Sequence, residues 1–449
     1  MNDAEYILIE ANDCSPFKLK PEQEEVLHFF AHSVSTINTF HFSSDYYNDE
    51  KLPVAEYDYY SGTWWAGRLV GEATFKYKDN YYKILIKPRF GELHLFRMLE
   101  EIFNVKLTES SHTLNHRQDF QFLIKKLISF LWLNMLAKAN KHGLPRNTIT
   151  KTHRGQTIRG RINIQKSIKT LFTSSELISN YREKEANEVI AQILLQAYNI
   201  LLKDYHLGSL NTPNNTQDAI IQFESARLQK RHISFSEYQN IRYKDIYQSF
   251  KPVVVFSWDL LQGKSIGNNI QDKDKTKGYS FFIDMAEVWE LYLKSLLKRK
   301  LAAKGWSIRN DKPITYSGKY HQKQLIPDIV MQRNNDVLVW DAKYKQMLFR
   351  KIDFDRTDFF QIHTYINYYQ QSKNVIAGGL LYPISSSISE TFASKSKSNS
   401  LFDGNGSDTK FIVDGIDLSF INNSVKDEVQ DDFKEKESQF LERINAVIE

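Results

Sequence analysis

The sequence predicts a multidomain α+β protein: a β-rich N-terminal domain over 1–115, a mainly helical middle region over 116–278, a C-terminal α/β domain with a mixed sheet over 279–425, and a charged C-terminal helix over 426–449. Three observations predict this. The chain has 449 residues, too many for one ordinary core. Its hydrophobic period changes from two to three-and-four near residue 116, and beyond residue 279 the two periods alternate. Its composition, 41% hydrophobic and 13% aromatic, is ample for globular folding.

In the first part, "TWWAGRLVGEATFKYKDNYYKILIKPRFG" (63–91) alternates polar and apolar residues on both sides of Asp79-Asn80, a turn dipeptide. That pattern predicts β-hairpins of a small barrel or sheet. Trp64 and Trp65 fit its core better than a base-stacking platform. In "FQFLIKKLISFLWLNMLAKANKHG" (120–143) the apolar residues Phe122, Leu123, Leu127, Phe130, Leu131 and Met135 recur at helical spacing, and His142-Gly143 supplies a stop. A second helix runs through "NEVIAQILLQAYNILLKDY" (187–205). Between them "RGQTIRGRINIQKSI" (154–168) reads as a basic β-like stretch. Its Arg154, Arg159, Arg161 and Lys166 suit DNA phosphates, an acidic partner surface, or a strand edge blunted by charge. From 279 the pattern predicts a helix at 284–301, strands at 326–332 and 337–343, a helix at 357–371, a strand at 374–382 and a last strand in "FIVDGIDL". The Ser/Gly/Asn-rich segment 385–410 reads as a loop.

Composition narrows the function classes. The formal net charge of +5 and a pI near 8.8 give a mild bias toward polyanions such as nucleic acid. The lone Cys14 excludes a disulfide framework and a thiolate zinc cluster. The N-terminus has no basic region followed by an apolar stretch, and no window approaches the roughly 20 apolar residues of a membrane span. These features predict a soluble, cytoplasmic protein with no membrane partner. "QGKS" (262–265) resembles the end of a phosphate loop, but the position that needs Gly is Trp258, so the chain itself is expected to bind no nucleotide. His112 and His116 are an isolated pair, and no Gly-x-Ser-x-Gly elbow occurs.

The chemistry concentrates in "LIPDIVMQRNNDVLVWDAKYKQ" (325–346). With a turn centred on Asn334-Asn335, Val330 faces Val339 and Asp328 faces Asp341. Directly opposed residues have Cβ atoms about 4.5–5.5 Å apart, and like charges there destabilise a sheet unless something neutralises them. Lys343 follows Asp341 by two and shares its face. Two carboxylates and an ammonium suit metal-dependent phosphodiester hydrolysis, in which hard oxygens hold Mg²⁺ and positive charge stabilises the phosphorus centre. An exposed hairpin with solvated charges accounts for the same letters. In "FFIDMAEVWELYLKSLLKRKL" (281–301), Asp284 and Glu287 have capping-box spacing, whereas Glu290 lies at the edge of the apolar stripe and is available as a third acid. Gln361 and Tyr365 share a helical face in "DRTDFFQIHTYINYYQQ" (355–371).

In order, Glu290, Pro327-Asp328, Asp341-Ala342-Lys343 and Gln361-x-x-x-Tyr365 resemble the PD-(D/E)xK nuclease superfamily, in the branch carrying a Q-x-x-x-Y helix. The resemblance narrows to McrC, the nuclease subunit of McrBC-type, 5-methylcytosine-specific restriction systems. It is carried by "IKPRFGELHLFRMLEEIFNV" (86–105), "RGQTIRGRINIQKSI" (154–168), "FFIDMAEVWELYL" (281–293) and "PDIVMQRNNDVLVWDAKYK" (327–345). The chain is longer than the commonest members, its 385–410 loop is unusual, and Trp289 stands where the family more often has Phe. The resemblance implies an endonuclease domain over 279–425, with Asp328, Asp341 and Lys343 as the core site. It makes Glu290 an accessory acid and metal ligand beside Asp328 and Asp341, and Gln361 with Tyr365 a supporting pair. It implies Mg²⁺, with Mn²⁺ able to substitute, and double-stranded, modified DNA as substrate. It also implies an McrB-like AAA+ GTPase hexamer as partner, docked by the N-terminal part of the chain and stimulated by it. A stand-alone nuclease and a non-catalytic activator of an AAA+ ring are the alternatives.

Overall fold

A computed structural model of the chain describes residues 6–33, 52–104, 116–205, 207–210, 214–225, 231–261, 280–310, 312–317, 322–345, 355–384, 409–419 and 426–448. The 262–265 stretch, His112 and residues 385–408 of the Ser-rich loop lie outside the described residues. The chain divides into two compact units, one built from the residues before 113 and those from 280 onward, the other from the described residues between. The first unit opens with β1 (Ile7–Asn12), α1 (Pro21–Ser33), β2 (Ala55–Asp58), β3 (Thr63–Ala66), β4 (Leu69–Tyr77), β5 (Asn80–Lys87) and α2 (Glu92–Phe103). The second unit holds α3 (His116–Ala139), β6 (Arg146–Gly155), β7 (Arg161–Ile162), α4 (Ile164–Ser174), β8 (Leu177–Ala186), α5 (Glu188–Asp204), α6 (Asn214–Ser225), α7 (Phe235–Gln239) and α8 (Phe250–Leu261). The chain re-enters the first unit with β9 (Ser280–Asp284), α9 (Met285–Leu301), β10 (Ser307–Arg309), β11 (Ile314–Ser317), β12 (Gln322–Gln324), β13 (Ile329–Arg333) and β14 (Asp336–Ala342). It ends with α10 (Arg356–Gln370), β15 (Asn374–Ile384), β16 (Lys410–Asp417) and α11 (Lys426–Ile448).

The N-terminal strands form an open four-stranded sheet in the order β1-β5-β4-β9. Tyr77 pairs with Asn80, so the β4–β5 turn is Lys78-Asp79, one residue before the expected Asp79-Asn80, and Lys78 takes φ 53°. That register sets Ala73 opposite Ile84 and Phe75 opposite Tyr82, all in one core with Val26, Leu27 and Phe30 of α1. Trp64 is buried in that core, while Trp65 is partly exposed. The parts before residue 113 and from 280 onward belong to one compact unit. β9 pairs with β4 from Leu69↔Asp284 to Ala73↔Ser280 and runs straight into α9. Arg299 of α9 then pairs with Glu101 of α2 at 2.6 Å, and Ser295 donates to the Glu101 carbonyl at 3.1 Å. Hydrogen bonding between distant segments made this unit, and no local pattern announces it.

The middle unit is helical where expected, with Trp132 of α3 donating to the Ser257 hydroxyl of α8 at 2.8 Å and Tyr238 stacked on Trp258 at 4.5 Å. It also carries a three-stranded antiparallel sheet, β6-β8-β7, whose ten-residue strands β6 and β8 pair along their whole length. The strands are mostly polar and solvent-facing, so they left no apolar alternation to read. The basic stretch 154–168 is β-like only to Ile162. Asn163 then N-caps α4 by accepting from the Lys166 backbone N–H at 3.2 Å.

The C-terminal sheet is five-stranded and mixed, in the order β10-β13-β14-β15-β16. β13 and β14 form an antiparallel hairpin turning at Asn334-Asn335, where Asn334 has φ 54° and Val330 pairs with Val339 as the sequence predicts. β14 and β15 are parallel, and the connection between them carries α10. Val330, Val337, Val339 and Leu380 pack against Ile362, Tyr365, Ile366 and Tyr369 of α10. The opposite face, bearing Met331, Leu338 and Trp340, is equally buried, and Trp289 of α9 donates its indole N–H to the Leu381 carbonyl at 3.1 Å. The charged tail forms α11, anchored to β16 by Arg443 on Asp414 at 2.9 Å. Among the described residues no helix is long and apolar enough to cross a membrane.

β15 and β16 approach so closely that a Cβ on Gly379 would collide with the Ile412 carbonyl. Gly379→Ala is expected to destabilise the chain by about 1–3 kcal/mol or more through that overpacking, read as a lowered denaturant midpoint.

Candidate active site

The hairpin delivers two acids to one end of the sheet. Asp328 immediately precedes β13, and its Oδ2 accepts the Ala342 backbone N–H at 2.7 Å, which continues the ladder one step beyond the paired strands. Asp341 is fully buried. By the alternation along β14 it points to the side of Val337 and Val339, toward α10. Burial, the Asp341 carboxylate and the Glu290 carboxylate together push the Asp328 pKa well above its ordinary value. Glu290 of α9 is thus an electrostatic neighbour of the pair. Asp284 caps α9 by accepting from the Ala286 N–H at 2.9 Å, not through the expected box with Glu287, and it pairs with Arg68 at 3.0 Å. Glu287 is itself fully buried.

Lys343 answers the acids. Its Nζ lies 2.7 Å from Asp341 Oδ2 and 3.5 Å from Asp358 Oδ1, and donates to Gln361 Oε1 at 3.1 Å. Burial works against the ammonium, but Asp341, Asp358 and Asp328 outweigh it and hold its pKa above that of an ordinary lysine. Lys343 is therefore held as an ammonium that donates hydrogen bonds to the groups around it. Gln361 donates through Nε2 to the Tyr365 hydroxyl at 2.8 Å, and Tyr365 donates to the Ile326 carbonyl at 3.2 Å. One relay of hydrogen bonds thus ties Lys343 to the residue two before Asp328. All six residues singled out in the sequence, Glu290, Asp328, Asp341, Lys343, Gln361 and Tyr365, gather at this end of the sheet.

Sequence reasoning missed three contributors. Asp358, buried in the first turn of α10, pairs with Lys345 at 2.8 Å as well as with Lys343, and Asp355 holds Lys345 at 3.1 Å. The signal was present as a third polar residue at helical spacing before Gln361 and Tyr365. The third is a brace from the N-terminal sheet. Asp13 is fully buried and accepts the Arg89 backbone N–H at 2.5 Å, while the Arg89 guanidinium lies 4.5 Å from the ring centre of Tyr344, the residue after Lys343. Burial and the Asp13 carboxylate raise the Tyr344 phenol well above its ordinary pKa. No local pattern connects Asp13 with Tyr344.

Fit to a divalent cation follows from the donor set. The Asp341 carboxylate is buried beside that of Asp328, and its Oδ2 faces the Lys343 ammonium at 2.7 Å. Two hard carboxylates that act on each other in this way suit Mg²⁺. Among the described residues no three His, Cys, Asp or Glu side chains form a ready-made metal-binding group; the acids that could hold a cation here are Asp328 and Asp341, with Glu290 as their charged neighbour. The raised pKa has a consequence for stability. A carboxyl that keeps its proton in the fold but loses it near pH 4 when unfolded costs stability as pH rises above about 4, and costs most once pH exceeds its folded value. Asp328→Asn, without divalent cation, is therefore expected to melt higher than the wild-type chain at pH 8, with the gap closing toward pH 4, measured by thermal denaturation across pH.

Comparison with known proteins gives the family. A family model described as McrBC 5-methylcytosine restriction system component matches residues 66–383, more than half of the chain. No curated protein matches the sequence. Among solved structures, a refined half-complex from the tetradecameric assembly of Thermococcus gammatolerans McrB AAA+ hexamers with bound McrC matches at 14% identity and a TM-score of 0.49, covering 99% of this chain and 100% of that one. The Thermococcus gammatolerans McrBC complex matches at 14% identity and a TM-score of 0.32, covering 66% of this chain and 88% of that one. On the family match, the chain belongs to the McrBC 5-methylcytosine restriction system component family.

Proposed function

We propose that this chain is the nuclease subunit of a modification-dependent restriction complex, an Mg²⁺-dependent endonuclease of the PD-(D/E)xK type that hydrolyses phosphodiester bonds of modified double-stranded DNA. The observation that carries this reading is the acid pair Asp328/Asp341 on one sheet face, with Lys343 held beside it by Gln361. Asp328 and Asp341 would hold the cation, with water or a DNA phosphate completing its shell. Mg²⁺ held by these residues would supply Lewis-acid stabilisation of charge at phosphorus and a lowered pKa for bound water. Lys343, an ammonium, would donate to a phosphate oxygen or to the attacking water, and its largely buried setting would strengthen that contact. Gln361 and Tyr365 limit the rotation of Lys343, which preserves its aim. Glu290 adds negative charge near the pair and so favours the cation.

In this reading the chain works with an McrB-like AAA+ GTPase hexamer and stimulates it, with the N-terminal domain as a docking element. The exposed apolar face of α4 supports protein contact as well: Ile164, Ile168, Leu171 and Phe172, at helical spacing, are 68%, 52%, 48% and 87% exposed. The basic side chains near it are less available than their number suggests, since Arg154 is already paired with Glu176 at 2.6 Å. Retention of both acids and the lysine in one constellation disfavours a non-catalytic activator, and membership of a multi-component family disfavours a stand-alone nuclease.

Asp341→Ala or Lys343→Ala is expected to lower DNA cleavage by at least about 10²–10³-fold and to leave stimulation of the partner's GTPase intact. Measuring both activities on the same preparations decides the matter, because joint loss would place the active site or the domain roles elsewhere. Phe172→Asp should weaken co-purification with the AAA+ partner without changing the melting temperature; unchanged association would remove α4 from the interface.

A further inference from the structure

Asp358 has no part in the reaction as described above, yet its position is tightly specified. It precedes Gln361 by three and Tyr365 by seven on α10, so the three side chains line one helical face. It is only 4% exposed, and its two oxygens reach different lysines, Oδ1 to Lys343 at 3.5 Å and Oδ2 to Lys345 at 2.8 Å. Lys345 is held in turn by Asp355, the N-cap of the same helix. The carboxylate is therefore fixed from both sides, by its own helix cap and by the strand end.

The consequence lies in how the Lys343 ammonium is shared. It has three N–H donors, and three acceptors surround it: Asp341, Gln361 and Asp358. Asp341 is the nearer carboxylate and holds the ammonium more strongly, but Coulomb attraction falls only as the inverse of distance, so Asp358 at 3.5 Å still exerts about three quarters of the pull that Asp341 exerts at 2.7 Å. An ammonium resting wholly on Asp341 would compete with a divalent cation for the same oxygens. Resting on the metal-dependent reading above, we propose that Asp358 is a positioning residue which draws Lys343 partly off Asp341, and so leaves Asp341 free to take a divalent cation while the lysine stays beside it. Lys345 and Asp355 set the orientation of Asp358 and do not touch the reacting atoms.

Mn²⁺ titrated calorimetrically onto the full-length chain in the absence of DNA tests this, with fold monitored by thermal melting. Asp341→Asn is expected to abolish binding. Asp358→Asn should weaken it by about 10–100-fold, the range for residues that orient a metal ligand, and Asp358→Glu should restore it. Lys343→Met should tighten binding, because the competitor is gone. The decisive comparison is the double variant: Lys343→Met with Asp358→Asn should bind Mn²⁺ like Lys343→Met alone. If Asp358→Asn weakens binding as much without the lysine as with it, Asp358 acts by its own field and the proposal is wrong. It is also overturned if Lys343→Met fails to tighten binding, a result that needs no Asp358 variant to fold. Absence of Mn²⁺ binding by the wild-type chain, or binding indifferent to Asp341→Asn, would instead sink the metal-dependent reading and this inference with it.

Discussion

Two carboxylates held opposite one another at the end of a buried hairpin are the constraint around which this end of the molecule is built. In an empty sheet the Asp328/Asp341 pair is a liability: burial removes water, and each charge raises the cost of the other. Glu290 adds to that cost, and other neighbouring groups reduce it. The Ala342 N–H satisfies one oxygen of Asp328, Lys343 supplies a positive charge, and α10 presents Asp358, Gln361 and Tyr365 on a single face to fix the lysine. The like-charge strain that remains is what a divalent cation would relieve under the proposed reading.

The sheet end is also held from the N-terminal side of the same unit. β9 belongs to the N-terminal sheet by its hydrogen bonds, yet it continues without a break into α9, which carries Glu290. Arg89, just past β5, packs its guanidinium on the Tyr344 ring, while the buried Asp13 beside it offsets its charge. The stretch 86–105 thereby has a structural meaning beyond family likeness: Lys87-Pro88-Arg89-Phe90 places an arginine against the residue following Lys343, and α2 then meets α9 through Glu101. Positioning of the candidate site depends on strands more than two hundred residues away in the chain.

The middle unit shows a different balance. Its helices bury Trp132 and Trp258, with the half-buried Tyr198 stacked on Trp132, but the long β6–β8 ladder is stabilised mainly by backbone pairing and by surface charge. α4 lies on β8 through the Ser167 hydroxyl, which both donates to the Ile178 carbonyl and accepts the Ile178 N–H. Those polar contacts leave the apolar side of α4 uncovered within this unit, an arrangement that costs solubility unless something binds there.

What the sequence by itself determined was local and periodic. The Asn334-Asn335 turn, the apolar alternation of β13 and β14 and the three-and-four spacing of α9 and α10 follow from short-range stereochemistry, and they were enough to place Asp328 opposite Asp341 and Gln361 beside Tyr365. Turn and strand chemistry without an apolar signal was not legible: the β4–β5 turn fell one residue early at Lys78, β6 and β8 were hidden by their polar faces, and Asn163 converted a β-like run into a helix. Only the tertiary structure decided that β9 joins β4, that Asp13 and Arg89 brace Tyr344, and that Asp358 reaches both lysines. The physical reason is common to all three. Each depends on which buried charge or unpaired strand edge finds a partner in space, and that pairing energy is set by three-dimensional proximity, which a one-dimensional pattern does not encode.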